Sequence, residues 1–162
     1  MADDTPEFGR APSFIGDVQM VHVVSDDKQA LTIAFNGLGV SLVPFGPPVA
    51  TRAFSLVVPL KNTKAGARLT GGVSGNGGLN PGTAATVIFR AAGTTLAFDS
   101  LFAPGEDSFT KEINLPVPAG ADVRVAIIIA VEGSAADANA QAMVNVTTLD
   151  LLLGPGEPEL QV

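Results

Sequence analysis

Residues 30–43, ALTIAFNGLGVSLV, set two alternating apolar runs on either side of Asn36-Gly37. Leu31, Ile33 and Phe35 recur at period two before that dipeptide, and Leu38, Val40 and Leu42 after it. Period two is the strand repeat, because successive side chains of a strand point to opposite faces. Asn-Gly readily supplies the two positive φ angles of a type I′ turn, so the stretch predicts a β-hairpin with a two-residue loop. That loop would set Phe35 opposite Leu38, Ile33 opposite Val40 and Leu31 opposite Leu42. All six then share one face, with Thr32, Ala34, Gly39 and Ser41 on the other.

The same period runs outward from this stretch. Val18, Met20, His22 and Val24 share a parity upstream. Downstream, after the breakers Pro44, Pro47 and Pro48, Phe54, Leu56, Val58 and Leu60 share another. Residues 86–100 predict a second hairpin around Gly93, a type II′ turn with Phe89 opposite Phe98 and Ala91 opposite Leu96. Phe109, Ile113 and Leu115 alternate with polar residues, Lys111 interrupting them, and Val123, Val125, Ile127, Ile129 and Val131 make the longest clean run. In residues 141–153 the apolar parity changes from Ala142, Val144 and Val146 to Leu149, Leu151 and Leu153, which predicts a β-bulge near Thr147. The glycine-rich residues 71–82 read as a surface loop and residues 134–141 as one helical turn.

The expectation is therefore an all-β, two-sheet antiparallel sandwich of about nine strands, jelly-roll-like, with an immunoglobulin-like sandwich as the alternative. The Pro- and Gly-marked residues 1–17 read as an extended arm, 18–153 as one domain and 154–162 as a tail.

Composition narrows function by exclusion. The chain has 162 residues, nine Lys plus Arg against sixteen Asp plus Glu, and a net charge of −7 without a basic cluster, which excludes nucleic acid as a partner. It lacks Cys, Trp and Tyr, so thiol chemistry and thiolate metal sites are absent and nine Phe are the only aromatics. No apolar run approaches a membrane span, and the acidic start does not resemble a secretory signal, so the expected location is cytoplasmic.

Catalytic patterns fail one by one. His22 is the single imidazole, mid-strand, and neither Ser41 nor Ser55 sits in a G-x-S-x-G elbow, so the expectation is no enzyme and no catalytic residue. Asp3-Asp4, Asp26-Asp27 and Glu106-Asp107, with Asp17, Asp99 and Asp122, read as solvated turn acids. Converging on Ca²⁺ is the one cofactor role open to them, and otherwise no cofactor or metal is expected. Gly75-Asn76-Gly77-Gly78 lacks the Gly-Lys-Ser/Thr of a phosphate loop. The Asn145-Val146-Thr147 sequon falls inside a strand, and the terminal Leu-Gln-Val is a weak strand-addition signal.

The outward parities carry the functional expectation. Beside the buried sets stand Arg124, Ala126, Ile128 and Ala130 on one strand, and Ala53, Ser55, Val57 and Pro59 on another. Water normally claims such faces, so something covers them. The reading is a non-enzymatic structural or interaction subunit that forms a homo-oligomer through an apolar sheet face at Val57, Ala126, Ile128 and Ala130. Phe8, Phe14 and Ile15 of the arm folding across that sheet would be the intramolecular cover. The alternative is a ligand-binding module for carbohydrate, since jelly rolls recur among lectin domains.

Overall fold

The computed structural model describes residues 5–15, 18–43, 45–63, 66–120, 122–133 and 141–155. Among them are thirteen strand segments. In chain order they are β1 (Glu7–Phe8), β2 (Ser13–Ile15), β3 (Gln19–Val24), β4 (Ala30–Asn36), β5 (Gly39–Leu42), β6 (Val49–Val58) and β7 (Leu60–Lys61). They continue as β8 (Ala67–Leu79), β9 (Ala84–Ala91), β10 (Thr94–Phe98), β11 (Ser108–Val117), β12 (Val123–Glu132) and β13 (Ala142–Pro155).

Two antiparallel sheets form a sandwich. One has the order β10-β9-β12-β6-β2 and the other β11-β8-β13-β4-β3, with β5 also on β13. From β6 onward the long strands alternate between the sheets, the path of a jelly roll. The excess over about nine strands comes chiefly from the two- and three-residue pieces β1, β2 and β7.

The inner faces are the expected parities. Phe54, Leu56 and Val58 of β6 and Val123 to Val131 at alternate positions of β12 meet Leu31, Ile33, Val144 and Leu149 of the facing sheet, all buried. The edge of the Phe35 ring meets Phe54 across the layers at 5.3 Å. Each fully buried aliphatic or aromatic side chain contributes about 1.5–3 kcal/mol relative to exposure, so this single apolar layer is the main source of stability.

Residues 30–43 do not form a hairpin. β4 pairs with Thr148 to Leu152 of β13, and β5 pairs with Ala142 to Asn145 of the same strand, so the two run in line along one neighbour. The true hairpin partner of β4 is β3, with Met20 opposite Phe35 and His22 opposite Ile33. Asn36-Gly37 is instead an insertion in a continuous strand, with Gly37 alone at positive φ (91°) and the Leu38 carbonyl accepting from the Val146 N–H. Both geometries keep Leu31, Ile33, Phe35, Leu38 and Leu42 on one face, where all five are buried. The apolar pattern is blind to the difference.

Residues 71–79 are strand, not loop. β8 lies between β13 and β11, with Gly71 opposite Leu151 and Ile113. The glycines are there because the neighbouring backbone comes too close for a side chain. A Cβ on Gly71 would strike the Asp150 carbonyl, one on Gly77 the Met143 carbonyl, and both residues sit at positive φ, 136° and 154°.

The β9–β10 hairpin exists with its loop one residue earlier. Ala92 (φ 52°) and Gly93 (φ 81°) both take positive φ, a type I′ turn, so Leu96 faces Phe89 and Phe98 faces Val87. The bulge expected near Thr147 is present, between Val146 and Thr148 against β8. The expected helical turn at 134–140 and the Leu-Gln-Val end lie outside the described residues.

Candidate functional site

The outer face of the β10-β9-β12-β6-β2 sheet is built by register. Ile128 stands between Ala53 and Ile88, and Ala130 between Thr51 and Thr86. Ala126 stands between Ser55 and Arg90. One row further, Arg124 faces Val57, which in turn faces Ser13 of β2. Val57, Ala126, Ile128 and Ala130 thus share one face, and all four are half-buried. Pro59 of the expected outward set is buried and lies beyond the strand.

The arm does not cross this face. β2 pairs at the edge of β6, its register putting Phe14 at the level of Leu56, and the Phe14 ring leans on Phe54 at 5.8 Å while staying 39% exposed. β1 is tied elsewhere, Phe8 facing Leu60 with its N–H donating to the Lys28 carbonyl at 2.7 Å. Ser13 joins the outer face as a new edge.

A groove of about 370 Å³ opens at this end of the sheet, lined by Ser13, Phe14, Ser55, Val57, Arg90, Arg124 and Ala126 over the backbone of Leu56 and Val125. Its floor is low because Ser55 and Ala126 have short side chains, while Arg90 and Arg124 stand up beside them. The two arginines are diagonal neighbours on adjacent strands, Cα atoms about 7–8 Å apart. No carboxylate of the described residues is among the lining residues. Arg90 donates from Nε to Thr95 Oγ1 at 3.1 Å, and Arg124 has no hydrogen bond or ion pair with any described residue. Asp122, two residues before Arg124, instead accepts from the Leu60 N–H at 3.1 Å.

The other candidates do not assemble. His22 is exposed on edge strand β3 of the opposite sheet, Ser41 is exposed on β5, and Ser55 lies in the groove, so no base reaches either hydroxyl. Among the described residues no three His, Asp or Glu side chains converge on a cation position. Asp27 accepts from the Ser25 hydroxyl and the Gln29 N–H, and these bonds hold its carboxyl below the usual range. Asn145 donates to Asn76 Oδ1 at 3.2 Å within paired strands. No helix among the described residues is long and apolar enough to cross a membrane.

Sequence reasoning placed Val57 and Ala126 on this face but missed Ser13, Arg90 and the cationic role of Arg124. The available signal was a pair of arginines on otherwise small outward parities.

No family model matches the chain, and no curated protein does. Among solved structures, the chain is similar to that of TmCBM61 in complex with beta-1,4-galactotriose, with 16% identity over 85% of this chain and 88% of that one, at a TM-score of 0.35.

Proposed function

We propose that this protein is a non-catalytic binding module whose outer-face groove holds a saccharide chain. The groove itself carries the reading: an open trough with a floor of Ser55 and Ala126, hydroxyls from Ser13 and Ser55, and guanidinium donors from Arg90 and Arg124. A saccharide needs an apolar contact and several directional hydrogen-bond groups, which Val57 and Ala126 and the surrounding Ser13, Ser55, Arg90 and Arg124 supply without an aromatic ring. Calorimetric titration with a panel of neutral and acidic oligosaccharides is the test. At least one should bind, and Ala126→Leu, which raises the floor, should weaken it at least about tenfold, the loss of some 1.4 kcal/mol. Binding by no member of the panel overturns the reading.

Self-association through the same face is the second reading. The row Ile88–Ile128–Ala53 is apolar, and a two-fold axis at Ile128 would set Arg124 over Glu132 of a second copy, since each lies four residues from Ile128 on β12. It requires a dimer in light scattering at micromolar concentration that Ile128→Lys dissociates.

A further inference from the structure

We propose that the groove selects saccharides bearing carboxylates, with Arg90 and Arg124 reading the charge; this rests on the saccharide-binding reading above and narrows it. The chain carries sixteen acids and only nine Lys plus Arg, yet two of those cations stand as diagonal neighbours at one groove, and no acid among the described residues lines it. Two like charges at that spacing, neither paired with a carboxylate among the described residues, give the groove a locally positive potential on an acidic protein.

The residue type carries further information. A guanidinium is a planar fork that matches a carboxylate with two parallel hydrogen bonds, which a lysine cannot do. Thr95 engages Arg90 only at Nε, which orients the fork and leaves both terminal nitrogens without a described partner, and Arg124 has no partner among the described residues. Ser13 lies at the far edge and Ser55 in the floor, so a sugar ring seated in the trough would meet the arginines on one side and hydroxyls beneath it and on the other. Nucleic acid does not fit, because its affinity is built from many phosphate contacts and this face offers two cations.

The test titrates trigalacturonic acid, galactotriose and acetate against the wild-type protein, Arg90→Gln and Arg124→Gln. Trigalacturonic acid should bind at least about tenfold more tightly than galactotriose, and each substitution should remove about tenfold of that affinity and a smaller factor from any galactotriose affinity. Raising salt should weaken the acidic ligand selectively, because both arginines are exposed. The variants should melt within about 2 °C of wild type, since surface substitutions away from special features change little. Galactotriose binding as tightly as the acid would overturn the charge selection and leave the saccharide reading intact. Acetate binding as tightly as the trisaccharide acid would overturn the selection of a saccharide. Trigalacturonic acid binding that is unchanged in both variants would overturn the role of the arginines. Failure of every sugar, across the wider panel too, would remove the saccharide reading itself.

Discussion

Replacing Gly71 by Ala tests whether β8 is the packed strand described above. Gly71 lies mid-strand between β13 and β11, at φ 136°. A new Cβ would fall on the Asp150 carbonyl oxygen, with the Asp150 carbonyl carbon at 2.8 Å and Leu151 Cα at 3.2 Å. Every one of those atoms is backbone, so no side chain can swing aside. Overpacking costs about 1–3 kcal/mol, and holding an L-residue in glycine's φ region costs about 1–3 kcal/mol more. The combined loss is about 2–6 kcal/mol, and at ~2–4 °C per kcal/mol the midpoint should fall by ~4–24 °C. The control is Gly78→Ala in the same strand, where nothing lies within 4 Å of the new methyl. It should stay within about 1 kcal/mol, on the stabilising side, because Ala restricts the unfolded chain. Without Trp or Tyr the assay is thermal melting by far-ultraviolet circular dichroism, or calorimetry. Equal midpoints for the two variants would refute the placement of β8 and restore the surface loop that its composition suggests.

Three smaller perturbations check other joints of the fold. Ala92→Asn should raise stability by about 0.5 kcal/mol in urea unfolding, because Asn-Gly is the preferred pair for the type I′ turn that Ala92 and Gly93 make. Thr63 is buried and the Gly120 N–H donates to both its hydroxyl and its carbonyl at 3.1 Å, so Thr63→Val should cost less than about 1 kcal/mol, or under ~4 °C in calorimetry. Asp27→Asn should destabilise the β3–β4 turn at neutral pH. The Asp27 carboxyl is held low by Ser25 and Gln29, so its contribution is present above the ordinary carboxylate range and is lost as pH falls through the folded value. Wild-type and variant melting curves should therefore converge in acid and separate on the neutral side.

Alternation decided the fold class, and it failed where two backbones share one side-chain pattern. Leu31, Ile33, Phe35, Leu38 and Leu42 are buried on one face whether residues 30–43 turn back or run straight through a bulge. The choice was made by β13, whose fourteen residues are long enough to seat β4 and β5 end to end. Glycine in residues 71–79 signals close backbone approach as readily as a loop, and only the neighbours of β8 tell which. At the β9–β10 turn the error was one residue in loop position. The two-residue change in register left Phe89, Leu96 and Phe98 on the same face. The site was half-legible for a related reason. Outward parities of β6 and β12 follow from the core pattern, whereas Ser13 and Arg90 reach the groove through pairings of β2 and β9 that no local period encodes.

The geometry of the groove also separates the two occupants proposed for this face. A two-fold axis at Ile128 would match Arg124 with Glu132 of a second copy, but it would also lay the region of Thr51, Thr86 and Ala130 over the groove, because these stand as far from Ile128 on the other side. Those short side chains cannot fill about 370 Å³. Two such voids, walled by arginines and serines, would be trapped in the interface and would have to hold water. Stable interfaces pack to the density of protein interiors, so this contact would be poor where it should be tightest. An elongated anionic guest meets no such conflict, since it fills the trough and neutralises both guanidinium groups. Ile128→Lys should consequently leave saccharide binding in place, because Ile128 does not line the groove, whereas Ala126→Leu should weaken it at least about tenfold without changing the oligomeric state.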